Sequence, residues 1–495
     1  MRTKSFLLSA FAAITAIAVS SCSSNESYTS HIPADAGIVV AFDLGQMLEK
    51  SGISDNSSAL NVIGSYISEY DSQTLSVLAT DILKEPQTSG IDVGSRVFVY
   101  TQDNAYSLAG TVTVLFGIND RDLLADNIET FISEEIFDRS GDYYSAEDGN
   151  GTVILLYKDY GAVCASTDNE YWGINDALRT LDVDNDITSV NAFGKMASSD
   201  ADIWGIFELK TLFDRYLYDE LNVSPSKLPD FTGAYAYASA VFKESKAEGR
   251  CGFLFPSDEL KKIKETYGYA KKISGSHLKY LNGDAMAFLV AGIDWEKLLS
   301  SDATSLIPGM AIAENMLSTL KGEISFCVNS LELDYWGNPE TIDAVFAADA
   351  SDGEFLGELN AIIGDVRTEG DKAYSFEYDN NKSIYYGFDN GMLYASTSYG
   401  DKDGLAKKGN SLSSSEYASA AKDAYIYFGV NIPRFIQVMG DELDDEERLL
   451  MSKLKYADIY ATDYTDYAVN LYFNGSQNPL ETAVALLEEA LKMEL

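Results

Sequence analysis

Four times along the chain an apolar run with no helical spacing gives way to apolar positions three and four residues apart. Each passage opens on Asp-Ala: Asp35, Asp200, Asp284 and Asp423. In the first, Ile38 to Phe42 is a short run rich in β-branched and aromatic residues, which predicts a buried strand. Past Asp43, residues Leu44, Met47 and Leu48 share one helical face. The second passage repeats the phase with Leu209, Leu212 and Phe213, and the fourth with Ile432, Phe435 and Ile436. A recurring strand–helix unit in constant phase predicts internal duplication.

A longer repeat points the same way. Residues 142–167 and 372–397 align without a gap, and ten of the 26 positions are identical, among them Tyr144/Tyr374, Asp159/Asp389 and Gly161/Gly391. Each stretch predicts three strands. Asp148-Gly149 with Asn150-Gly151 is the expected first turn, and Tyr160-Gly161 and Asn390-Gly391 the expected equivalent second turns. Between these landmarks the pattern predicts helices over Ser58–Leu83 and Asp120–Phe131, and a last helix burying Ala483, Leu486, Leu487 and Leu491. The expected fold is therefore α+β, with two tandem pseudo-repeated halves, 31–276 and 277–495. Their sheets are expected to be mostly antiparallel, with helices packed on one face.

The first residues follow a different logic. Arg2 and Lys4 precede an apolar stretch from Phe6 to Val19, too short to span a bilayer and suited to a signal peptide. Val19-Ser20-Ser21-Cys22 matches a lipobox, whose cysteine thiol takes the diacylglycerol. Residues 1–21 are expected to be a lipoprotein signal peptide and 22–30 a lipidated tether. The only membrane contact expected is this lipid on Cys22. Serine rather than aspartate at position 23 does not favour inner-membrane retention, so the anchor is expected in the outer membrane of the cell envelope, with the periplasmic and surface faces both open.

Charge narrows the partners. The chain holds 77 acidic and 36 basic residues, a net charge of −41. Removing residues 1–21 takes away Arg2 and Lys4 and leaves 77 − 34, or −43. Such a surface repels nucleic acid and anionic headgroups, so neither is an expected partner. The 46% hydrophobic content is ample for a core.

Little in the sequence points to catalysis. His31 and His277 are the two histidines, far apart in sequence, so a metal pair or a Ser-His-Asp site has little to draw on. No metal, cofactor or catalytic residue is expected. With Cys22 lipidated, Cys164, Cys251 and Cys327 are left at wide spacing and read as core fillers. Asp182, Asp184 and Asp186 resemble the start of a calcium loop, but Ile187 and Phe193 stand where it needs glycine and a bidentate acid. Asp159 and Asp389 read as turn residues. Tyrosine, at 32 copies, is the most suggestive residue type, clustered at Tyr143-Tyr144, Tyr216/Tyr218, Tyr235/Tyr237, Tyr385-Tyr386 and Tyr460/Tyr464/Tyr467. The basic stretch from Lys261 to Lys272 reads as a solvated helix face.

The lipobox, the His-Ile-Pro-Ala-Asp-Ala start at 31–36, Glu49-Lys50-Ser51-Gly52, Gly90-Ile91-Asp92 and Lys321-Gly322-Glu323-Ile324 resemble a family of Bacteroidetes lipoproteins known as domain of unknown function 4836. The resemblance implies an envelope lipoprotein with a repeated α+β body and carries over no catalytic residue. The expected function is a non-catalytic cell-envelope lipoprotein that binds a protein partner or ligand. Two alternatives are a glycan-binding surface lipoprotein and, less favoured, a carboxylate-dependent hydrolase.

Overall fold

The computed structural model describes residues 26–494 apart from 71–72, 103–109, 150, 167–171, 213–229, 301–316, 335–338, 380–381, 398–410, 416–417, 423 and 440–442. Cys22, Tyr216, Tyr218 and Asp423 lie outside the described residues. The chain forms two compact units: one runs to Phe255 and regains 475–494, the other is Pro256–Asn474.

The first unit is built on nine antiparallel strands: β1 Ile38–Phe42, β2 Val97–Gln102, β3 Thr111–Gly117, β4 Tyr144–Glu147, β5 Thr152–Leu156, β6 Tyr160–Ser166, β7 Ile203–Glu208, β8 Tyr235–Lys243 and β9 Lys246–Leu254. Their order across the sheet is β4-β5-β6-β3-β2-β1-β7-β8-β9. Strands β2 and β3 are apolar on both sides, and both sides are buried. Phe98, Tyr100 and Leu115 face one core with Trp204 and Phe193. Val97, Val114 and Phe116 face another with Leu124, Ala125 and Ile128 of the helix α4 Arg121–Ile132. Helices thus cover both faces of this sheet, not one. Continuous apolar runs such as Val97-Phe98-Val99-Tyr100 are the local signature of that double burial.

Three earlier helices lie in this unit: α1 Leu44–Ser51, α2 Ser57–Tyr70 and α3 Gln73–Lys84. Asp43 caps α1 by accepting from the Gln46 N–H, and Gly52 closes it at φ 61°, a conformation glycine adopts freely. The C-terminal helix Pro479–Glu494 packs on α1 and α2. Its Val484 meets Leu48, Ile53, Leu60 and Ile63. Sequence reading assigned this helix to the second half. A helical stripe tells that a face is buried, not which core receives it. Leu487, expected inside, is 46% exposed, and Ala483 is exposed too.

The tether also ends earlier than expected. Residues Ser27–His31 form a 3-10 turn in which Tyr28 is buried against Phe98. Its hydroxyl donates to the Arg96 carbonyl, and Glu26 accepts the Arg96 N–H at 3.1 Å.

The second unit carries β10 Ala270–Lys271, β11 Ala287–Ile293, β12 Leu320–Leu333, β13 Pro339–Ala350, β14 Arg367–Gly370, β15 Ala373–Asp379, β16 Lys382–Asp389, β17 Met392–Ser396, β18 Ile426–Asn431, β19 Leu454–Asp463 and β20 Asp466–Phe473. All pairings are antiparallel, in the order β14-β15-β16-β17-β13-β12-β11-β18-β19-β20, with β10 on the end of β11. The turn between β16 and β17 is Asn390-Gly391, both at positive φ, as a tight hairpin requires. The corresponding hairpin of the first unit turns elsewhere, at Lys158-Asp159, with Tyr157 and Tyr160 paired across it. Gly161 is instead a strand residue lying under the Phe116 ring, where a Cβ would come within 2.4 Å of Cζ. Glycine is needed there for close approach and not for a turn.

Candidate functional site

Both histidines are built into the fold. His31 is half-buried, its Nδ1 2.8 Å from the Leu181 carbonyl and its ring stacked on Tyr160 at 4.8 Å. His277 is buried in the second unit, where the chain brings a serine and an aspartate to it. Its Nε2 lies 2.9 Å from Asp349 Oδ1 and its Nδ1 3.2 Å from Ser325 Oγ. Sequence reasoning missed this meeting, because Asp349 stands 72 residues from His277 and Ser325 48. The register of β12 with β13 is what gathers them.

The residue types are those of a nucleophilic triad, but the geometry is that of a clasp. Ser325 is 1% exposed, and its hydroxyl sits between His277 Nδ1 and the Ala347 carbonyl at 3.3 Å. A nucleophile must present its oxygen to a substrate in reach of oxyanion donors; this one faces the core. The remaining bonds fasten the segment before β11 to the sheet. Asp349 Oδ2 accepts the Glu323 N–H at 3.0 Å. Buried Glu323 accepts the backbone N–H groups of Ser274 and Gly275. Burial pushes the Asp349 carboxyl up, and the hydrogen bonds from His277 and the Glu323 N–H outweigh it, so it lies below the ordinary 3.8.

Two of the described cysteines are core residues. Cys164 and Cys327 are buried and Cys251 is half-buried, and none of the three is joined in a disulfide. Burial pushes the Cys164 and Cys327 thiols up to about 12, which keeps them protonated and poor nucleophiles. Among the described residues no group of three or more His, Cys, Asp or Glu is placed to hold a metal. Asp186 spends its carboxylate on the Thr188 N–H. The basic stretch is paired: Lys262 with Glu259, Lys264 with Asp463 and Lys271 with Asp294.

Among the described residues the tyrosines do not converge on one groove. Tyr157, Tyr160 and His31 stack in succession and Tyr143 tilts against Tyr157, so the inner ring faces are spent on one another. Tyr144 lies under the Arg121 guanidinium at 4.0 Å. Tyr386 is buried and donates to Asn360 at 2.7 Å. Tyr427 is buried between Phe288 and Tyr460, and its hydroxyl reaches buried Asp458 at 2.8 Å. Asn470 and Tyr472 complete the donors to that carboxylate, at 2.6 and 3.2 Å. Burial first, then Tyr456 and Asp458, push the Tyr427 phenol far up. An open cleft of about 620 Å³ between α2 and α3 is lined by hydroxyls such as Ser57, Ser65 and Thr80, by Asn61 and Gly64, and by the charged Asp55, Asp81 and Lys84.

The feature that departs most from an ordinary surface is the outer face of the second unit's sheet. Its inner face buries Phe288, Val290, Cys327, Val345 and Tyr427. Side chains alternate across a strand, so their neighbours point the other way. Phe346, Phe326, Leu289, Phe428, Ile459 and Val469 stand in one register row across β13, β12, β11, β18, β19 and β20. A flanking row reads Ala344, Val328, Ala287, Val430, Ala457 and Leu471, and another begins Ala348, Ile324, Ala291 and Ile426. No polar side chain interrupts these positions. The helix α5 Phe355–Ile363 packs on the β13 side through Phe346 and Ile324. Beyond it Phe326 is 43% exposed, Phe428 39%, Ile459 41% and Leu471 37%. Contiguous exposed apolar area of this kind marks a surface that binds something.

The described chain is thus a mixed α+β protein with extensive antiparallel sheet, and no helix among the described residues is long and apolar enough to cross a membrane. Residues 28–477 match the family described as domain of unknown function (DUF4836), and the chain belongs to that family. No curated protein matches the chain. Among solved structures, crystal form I of TP0453 is similar at 10% identity over 50% of this chain and 88% of its own, with a TM-score of 0.25, too slight a likeness to bear on the fold.

Proposed function

We propose that this protein is a non-catalytic lipoprotein of the cell envelope. In this reading it is held at the outer membrane by a lipid on Cys22, in the manner of the Bacteroidetes lipoproteins it resembles, and binds its partner on the outer face of the second unit's sheet. The observation that carries the reading is the uninterrupted apolar row through Phe326, Phe428 and Ile459, more than a third exposed at each of these residues. The non-catalytic part is supported by the sealing of Ser325 and by the protonated, buried thiols. Two experiments test the reading. Alkyne-palmitate fed to cells should label the wild type and leave Cys22→Ala unlabelled; an unlabelled wild type removes the anchor. A photocrosslinking residue at Phe428 in intact cells should capture a molecule; no capture removes the binding face.

We also infer that the two halves descend from one duplicated unit. The support is a common strand order, β4-β5-β6-β3-β2-β1-β7-β8-β9 beside β15-β16-β17-β13-β12-β11-β18-β19-β20. A second support is the aspartate cap after β1 and β11, where Asp43 accepts the Gln46 N–H and Asp294 the Lys297 N–H. Experimental coordinates in which residues 38–254 and 287–473 fail to superpose strand for strand would overturn it.

A further inference from the structure

We propose that the outer face of the second unit's sheet receives the acyl chain of a lipid. This rests on the binding reading above and names the ligand class. Two observations favour hydrocarbon over an extended peptide, and a third favours a single lipid over a bilayer. First, the floor at exposed Phe326, Phe428, Ile459 and Leu471, with half-buried Leu289 between them, offers no polar side chain, whereas a protein interface usually carries about one hydrogen bond per 100–200 Å². Second, β12, β11, β18 and β19 are each paired on both sides, so their backbone groups are spent within the sheet. An extended peptide laid on this face could not add as a strand, and its own N–H and C=O groups would lose water without gaining partners. A hydrocarbon chain has no such groups to satisfy.

Third, the dimensions and the charge suit a single lipid better than a bilayer. The five strands beyond α5 (β12, β11, β18, β19 and β20), at about 4.8 Å, give a floor about 19 Å across, comparable with a long acyl chain. A net charge of −41 opposes docking of the whole body on an anionic membrane surface. A chain drawn out of the bilayer and laid along the row meets no such repulsion.

The test replaces Phe428 with p-benzoylphenylalanine in the full chain, irradiates intact cells and reads the adduct on the purified protein by mass spectrometry. The same replacement at Val77, which is 54% exposed on α3, is the control for simple proximity to the membrane. The expected result is an adduct of lipid mass at Phe428, little at Val77, and a loss of at least tenfold when Ile459→Asp is added. Ile459→Val should keep the adduct. Circular dichroism checks each variant; if Ile459→Asp does not fold, Leu471→Ser takes its place. A protein adduct at Phe428 overturns the lipid proposal and leaves the binding face standing. No adduct at Phe428 overturns both. Equal lipid adducts at Phe428 and Val77 overturn the proposal in favour of bare proximity.

Discussion

Single residues decide where this fold is tight. Gly429 lies in β18 where a Cβ would fall 1.9 Å from the Tyr456 hydroxyl oxygen and 2.8 Å from the Phe288 ring. Gly429→Ala therefore has to push Tyr456 away from its place beside Tyr427. It should cost about 1–3 kcal/mol, read as a lower urea midpoint; an unchanged midpoint would show that the cluster has slack. Asp349 makes a prediction about acid. Its folded pKa lies below the ordinary value, so its contribution is fully present above the unfolded value of about 3.9 and is lost as pH falls through the lower folded one. Urea melts of Asp349→Asn between about pH 6 and 2 should give a shallower acid limb than wild type. Identical limbs would contradict the His277 and Glu323 bonds. The Ser-His-Asp meeting was not legible in the sequence, because contact between residues far apart depends on strand register.

At the scale of elements, the two faces of the second sheet should respond differently to substitution. Phe288→Ala empties a buried position beside Tyr427 and should cost about 3–5 kcal/mol. Phe326→Thr, on the exposed face, keeps a residue suited to a strand and should cost less than about 1 kcal/mol. Comparable losses at both sites would mean that the outer face is covered. The C-terminal helix makes a second prediction. Deleting 475–495 uncovers Leu48, Ile53, Leu60 and Ile63, so amide exchange across α1 and α2 should speed up. Unchanged exchange there would show that the helix contributes nothing to that core. Most elements were legible, the helix at 121–132 among them; its Asp120 cap was not singled out. The turn at Tyr160-Gly161 was misread, because a glycine needed for close packing and a glycine needed for a turn look the same in sequence.

For the molecule as a whole, charge is the dominant long-range term. At −41 the folded body repels itself, and that repulsion is screened over about 10 Å at 0.1 M salt. The melting temperature should rise between about 0.05 and 0.5 M sodium chloride. A fall over that range would mean that ion pairs such as Arg139 with Glu129 or Lys264 with Asp463 outweigh the excess of acids.

By itself the sequence determined the strand–helix units, the antiparallel α+β class, the burial of Cys164 and Cys327 and the acidity. Each of these follows from local periodicity, side-chain type or a sum over residues. Tertiary structure alone decided that helices cover both faces of the first sheet and that the last helix closes the first unit. It also brought His277 to Ser325 and Asp349, and left Phe326, Phe428, Ile459 and Leu471 exposed on one side of the second sheet. Periodicity tells which positions share a face; what lies against that face depends on elements hundreds of residues away, which no local pattern contains.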